Sequence, residues 1–315
     1  MKKPLIVLTG PTAVGKTKLS IALAKAVNGE IISADSMQVY RHMDIGSAKI
    51  TPEEMDGVPH YLVDVLEPTE DFNIVLFQQM AKDAMDKIYD KGRIPILVGG
   101  TGFYIQSVTR DIDFTSSDQD EHYRRELEEL AEQKGPAFLH DMLAKVDPKS
   151  AEDIHENNVK RVIRALEFYK QNGTRISEHN EEQKEHTSPY ALAYFVLNAP
   201  RPLLYERIDT RVDEMLKNGL TEEVKKLREM GCHRGMVSMQ GLGYKEILDY
   251  LDGNCTLEEA IYTIKRDTRH FAKRQLTWFK RERDVIWINK QSFGYDAEQI
   301  LDEMLSKLPW KAEKK

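Results

Sequence analysis

The chain has 315 residues, 41% apolar and 31% charged, with a formal net charge of −7. That is the composition of an ordinary soluble protein, and no stretch approaches the roughly 18 to 20 apolar residues that a membrane-crossing helix needs. Cys232 and Cys255 are too few for a disulfide scaffold and lack the spacing of a zinc site, so the sequence predicts a reducing, cytoplasmic setting and no membrane partner.

The length predicts a core α/β domain with a helical region attached. Leu5-Ile6-Val7-Leu8 is a short continuous apolar run that reads as a first buried strand. It leads directly into Gly10-Pro11-Thr12-Ala13-Val14-Gly15-Lys16-Thr17, a complete G-x-x-x-x-G-K-T phosphate loop, and then into a helical pattern through Leu19, Ala22, Leu23 and Ala26. In such a loop the glycines let backbone N–H groups turn toward phosphate oxygens. Lys16 faces the terminal phosphates, and Thr17 offers a hydroxyl to Mg²⁺. The loop by itself fits ATP as well as a diphosphate that departs as pyrophosphate.

Further buried strands are predicted at Ile31–Ala34, Tyr61–Val65 and Ile94–Val98, with a helix over about 73–89 between the last two. The alternation predicts an α/β fold with a P-loop NTPase-like parallel sheet flanked by helices and a helical insertion domain. Ligands of such sheets lie beyond the carboxyl ends of the strands, where the phosphate loop, Asp35 and Thr101 all fall. Ile96-Leu97-Val98 ends in Gly99-Gly100-Thr101-Gly102 with no carboxylate, which disfavours a plain ATPase or GTPase. Asp35 is placed to accept a proton from a nucleophile, or to join Mg²⁺ through water; the plainer alternative is a capping role. Gln38 offers one donor and one acceptor to an adenine edge, and Thr101 is a candidate contact for a leaving oxygen. Tyr104 is expected to pack in the core.

From Ser116 to about His186 the strand signal stops and apolar residues recur at helical spacing, so three segments are predicted: a P-loop core over 1–115, a helical insertion over 116–186, and the core continuation over 187–315. The sheet is expected to resume at Leu192–Leu197 and to gain a late strand at Val285–Ile288. Helices are predicted near 257–283 and 295–307, with residues 311–315 frayed. Net charge argues against a polyanionic partner, yet residues 265–283 carry eight bases and two acids. A helix there directs Arg266, Arg269, Lys273 and Lys280 toward one face, with Phe271, Leu276 and Trp278 as packing residues and Arg274 available to buried carboxylates.

Taken together, the phosphate loop, Ser33–Tyr40, Val98–Tyr104, Gly241–Tyr244 and Thr268–Phe279 resemble the tRNA dimethylallyltransferase family, also called tRNA isopentenyltransferase. The resemblance implies transfer of a dimethylallyl group from its diphosphate to N6 of the adenosine 3′ to the anticodon, with pyrophosphate released and Mg²⁺ present. It implies Asp35, Thr101 and Arg211 as catalytic residues and Gly10 to Thr17 as the diphosphate site. Asp35, Ser36, Met37, Gln38 and Thr101 are then expected to face the tRNA. Asn158, Lys160, Arg161 and Arg164 match the family's tRNA-contacting segment, and Arg269 and Lys273 are added from the charge pattern. The chain carries no cysteine-and-histidine zinc extension, so its own helices are expected to grip the RNA. Monomeric action without an obligate protein partner is expected. The rival reading is a small-molecule or nucleotide kinase with the helical insertion as a lid.

Overall fold

β1 (Pro4–Thr9) is buried on both faces, as its unbroken apolar run requires. It belongs to a six-stranded sheet in the order β3-β2-β4-β1-β5-β6, the others being β2 (Gly29–Ala34), β3 (His60–Tyr61), β4 (Ile94–Gly99), β5 (Ala191–Asn198) and β6 (Val285–Asn289). Every pairing is parallel, the P-loop NTPase-like arrangement expected from the strand–helix alternation. The structure is a computed structural model that describes residues 2–114 and 121–310, so the predicted fraying of 311–315 lies outside the described residues.

Alternating side chains divide the core in two. Leu5 and Val7 join Ile32, Leu97, Tyr194 and Val196 beneath the helices Ile74–Asp90, Gly102–Thr109 and Tyr244–Leu251. Ile6 and Leu8 join Ile31, Ile96, Phe195 and Leu197 beneath Lys16–Val27 and Ala297–Ser306. Each such side chain, taken fully out of water, contributes about 1.5–3 kcal/mol. Local chemistry fixes where the helices begin. Asn73 accepts from the N–H groups of Val75 and Leu76, both at 3.0 Å, and Thr256 with Glu259 forms a capping box that starts the long helix Leu257–Phe279.

The chain forms two compact units, Met1–Thr109 with Ser188–Lys315, and Arg110–Thr187. The second is helical, with Leu127, Leu139, Leu143, Val162, Ile163 and Leu166 as its core. Buried Asp147 accepts four hydrogen bonds there, from the N–H and hydroxyl of Ser150 and of Ser177. Burial alone would raise its pKa, but these bonds hold it below the usual carboxylate range.

One strand expectation fails. Of the run Tyr61–Val65 only Tyr61 is strand, as the second residue of β3, because Leu62 and Asp64 take positive φ values of 62° and 55°. The segment instead folds onto the loop before it: Asp64 N–H donates to the Gln38 carbonyl at 3.1 Å and Val65 N–H to that of Val39 at 2.9 Å. Apolar content alone therefore mistook an irregular, partly exposed edge for a buried strand.

Candidate active site

Register decides what meets at the sheet edge. Thr9 is paired with Gly99, and Gly99 with Ala34, so the chains leaving β1, β4 and β2 emerge level and side by side. Two bonds fasten this edge: the Thr9 hydroxyl donates to the Gly99 carbonyl at 2.7 Å, and Thr101 N–H donates to the Ala34 carbonyl at 3.3 Å. The next residues are the phosphate loop, Thr101 and Asp35.

The loop itself is shaped by backbone that few residues tolerate. Gly10 has φ 144°, and a side chain there would begin 2.5 Å from the Leu197 carbonyl oxygen. Ala13 follows at φ 62°, and Gly15 at φ 85° delivers the chain into the helix Lys16–Val27. The first-turn N–H groups of that helix have no intrahelical acceptors and form its positive end. The Lys16 ammonium donates to the carbonyls of Gly10 and Pro11, both at 3.0 Å. Burial, followed by the Arg211 guanidinium, brings its pKa down to about 8, while Asp35 pulls in the opposite direction. Thr17 is exposed in the same turn.

Arg211 lies on the helix Arg201–Lys217 and lines a cleft of about 470 Å³ with Ala13, Gly15 and Arg207. Burial holds its pKa below the usual arginine value, offset by Glu214 and Glu54. Lys290 adds a further cation behind the loop, donating to the Val14 carbonyl at 3.1 Å. The edge thus concentrates positive charge around the N-terminal end of the Lys16–Val27 helix, which is the field of a polyphosphate site.

Asp35 is half-buried. Its Oδ1 accepts from the N–H of Met37 at 2.9 Å and of Gln38 at 3.4 Å, so the side chain organises a turn, although no helix follows it. Among the described residues its Oδ2 has no hydrogen bond, and neither has the Thr101 hydroxyl. Ser36, Met37 and Gln38 are half-buried on this turn, with the Gln38 amide donating to the Ala48 carbonyl at 3.2 Å. Tyr104 packs in the core as expected, stacked on Phe77 at 4.3 Å.

Asn158, Lys160 and Arg161 are exposed and Arg164 half-buried at the start of the helix Val159–Asn172, in the second unit. The cationic face of the Leu257–Phe279 helix is smaller than its charges implied. Arg269 is bound to Asp209 at 2.6 Å, Lys265 pairs with Asp213 at 2.6 Å, and Arg266 pairs with Asp267 at 2.8 Å while lying over Tyr262. Lys273 and Lys280 are exposed, and neither has an ion pair among the described residues. Arg274 is also exposed, over the Phe271 ring, and so does not serve a buried carboxylate. The helix stops at Phe279, short of 283.

Two supporting residues escaped the sequence reading. Glu223 accepts from the N–H groups of Asp44, Ile45 and Gly46 at 3.0, 2.7 and 3.0 Å, and from the Tyr244 hydroxyl at 2.8 Å. Gln275 accepts from Thr12 N–H and donates to the Gly100 carbonyl, both at 2.9 Å. Its signal was present, a glutamine among the apolar positions Ala272, Leu276 and Phe279 of one helical stripe.

The family model for IPP transferase matches residues 38–282, and that for isopentenyl transferase matches residues 3–65. The chain belongs to the IPP transferase family. A tRNA dimethylallyltransferase of Lachnoclostridium phytofermentans is 65% identical, with 96% of each chain covered. Among solved structures, the full-length tRNA isopentenylpyrophosphate transferase of Bacillus halodurans is 48% identical, with a TM-score of 0.74 and 99% of each chain covered. A eukaryotic dimethylallyltransferase solved acting on tRNA has a TM-score of 0.83 at 32% identity, covering 99% of this chain and 82% of its own. The resemblance drawn from the motifs is therefore correct at the level of family.

Proposed function

We propose that this member of the family transfers the dimethylallyl group of dimethylallyl diphosphate to N6 of the adenosine immediately 3′ to the anticodon of a tRNA, releasing pyrophosphate. The observation that carries the reading is the register Thr9–Gly99–Ala34, which sets the phosphate loop, Thr101 and Asp35 at one sheet edge. Donor cradle, leaving-group donor and proton acceptor are the three parts this transfer needs.

The N–H groups at the start of the Lys16–Val27 helix, the Lys16 ammonium and Arg211 hold the diphosphate. The adenosine must leave its stack to reach an enclosed donor, and single-stranded loop bases are the RNA elements that can do so. As N6 bonds to the allylic carbon, the carbon–oxygen bond to the diphosphate breaks. The N6 proton passes to the unoccupied oxygen of Asp35, and the Thr101 hydroxyl donates to the departing oxygen. Carbon, proton and electron pair are all accounted for without a covalent enzyme intermediate.

Thr17, exposed in the turn beside Lys16, would hold Mg²⁺ together with the substrate phosphates, and Asp35 would support the ion through water. Bound there, the ion supplies charge neutralisation of pyrophosphate.

The test offers labelled dimethylallyl diphosphate with tRNA, with AMP and with no acceptor, beside γ-labelled ATP. Incorporation into tRNA alone is the expected result. Label passing from ATP to a small acceptor, with none from the prenyl donor to tRNA, would establish a kinase instead.

A further inference from the structure

Gln275 is 6% exposed and spends both ends of its amide on the two loops that the proposed chemistry uses. Thr12 lies 263 residues away in the phosphate loop, and Gly100 lies 175 residues away, one residue before Thr101. The amide orientation is unambiguous, because a backbone N–H only donates and a carbonyl only accepts. Gly100 keeps the space open: a side chain there would strike the Gln275 amide nitrogen.

The other ties at this edge lie lower or elsewhere. Thr9 to Gly99 joins the two strands before the loops begin, and Thr101 to Ala34 joins β4 to β2. Nothing in either bond sets the height of the phosphate-loop apex relative to Thr101. Gln275 does, from the Leu257–Phe279 helix, where it is buried.

We propose that Gln275 is a positioning residue for the transfer step, fixing the separation between the diphosphate cradle at Thr12 and the leaving-group hydroxyl at Thr101 through its paired bonds to Thr12 and Gly100. The inference rests on the prenyl-transfer reading. It adds that the loop and Arg211 bind the donor without this tie, but that the donor is aligned for departure only when the loop is tied to Thr101. A displacement of about 1 Å in such an arrangement costs on the order of a hundredfold in rate.

Gln275→Met keeps the length of the side chain and removes both bonds; Gln275→Glu keeps the shape and the acceptor for Thr12 but loses the donor for Gly100. The measurements are the single-turnover transfer rate to tRNA with both substrates saturating, donor affinity by calorimetry, and the thermal midpoint. For Gln275→Met we expect the rate to fall about thirtyfold to a hundredfold, with donor affinity within about threefold of wild type in protein that remains folded at the assay temperature. Gln275→Glu is expected to show the same split, and it decides the question if Gln275→Met does not fold. An unchanged rate in a folded variant, or a loss confined to donor affinity, overturns the proposal. Wild-type protein inert toward tRNA would instead overturn the prenyl-transfer reading itself.

Discussion

Lys16 and Arg211 repel one another beside the phosphate loop, and burial, followed by that repulsion, brings the lysine to a pKa of about 8. A site with this property is built for an anion that is absent when the donor is absent. In the donor-free protein the folded value lies below the ordinary 10.5, so between about 8 and 10.5 the unfolded chain binds more protons. Stability from this group therefore rises as pH rises through that window.

Donor binding should show the opposite dependence. A diphosphate favours the charged ammonium, so binding above pH 8 takes up a proton, and affinity weakens by at most about tenfold per pH unit from this group. Calorimetry in buffers of different ionisation enthalpy measures the uptake directly. Lys16→Met should bind the donor weakly at every pH, with the proton linkage gone; linkage that persists in that variant would assign it to another group.

Asp35 has two separable duties, since one oxygen holds the turn to Met37 and Gln38 and the other is unoccupied. Asp35→Asn preserves an acceptor for the turn but cannot take a proton. Transfer should fall about 10²- to 10⁴-fold in single-turnover assays while donor affinity and thermal midpoint change little. Asp35→Ala should lose the turn as well and show a lower midpoint than Asp35→Asn. Full-rate transfer by a folded Asp35→Asn variant would remove the proton-acceptor role.

Glu223 anchors the loop at Asp44–Gly46 and is itself held by Tyr244, whose ring sits where a side chain on Gly46 would have to go. Glu223→Ala leaves three N–H groups and a hydroxyl without their acceptor and should destabilise the protein by about 2 kcal/mol. Denaturant unfolding reads this as a lower midpoint. Glu223→Gln should cost less, because one acceptor oxygen remains.

The pairing of Arg269 with Asp209 changes what its substitution should do. Lys273→Ala is expected to lower the salt slope of tRNA binding by roughly 0.7–0.9, the signature of one lost phosphate contact. Arg269→Ala should leave the slope nearly unchanged and instead release Asp209 from its partner, lowering the thermal midpoint. Equal slope changes in the two variants would show that Arg269 exchanges Asp209 for phosphate when RNA binds.

How far the sequence reached follows from the range of each interaction. Leu5–Leu8, the phosphate loop and the five longer strands were legible because strand patterning and the loop signature are local. Asp35 and Thr101 followed from their places at strand ends. Tyr61–Val65 misled because its apolar residues line a loop whose positive φ values are imposed by bonds to Gln38 and Val39. The same limit hid the partners of Arg269, Glu223 and Gln275, each at least 21 residues away in the chain. Charge counting on the Leu257–Phe279 helix saw the cations but could not see Asp209 and Asp213, which arrive from another helix.

The central claim is that a dimethylallyl group passes to one nitrogen of one adenosine. The most direct measurement places an anticodon stem-loop RNA with labelled donor, quantifies pyrophosphate, and maps the label by mass spectrometry of the digested RNA. A matched RNA carries purine riboside, which lacks the exocyclic amine, at the same position. We predict one pyrophosphate per modified RNA, label confined to N6 of the adenosine 3′ to the anticodon, and no transfer to the purine RNA. Label at another atom or nucleotide, or equal transfer to the RNA without the amine, would contradict the account.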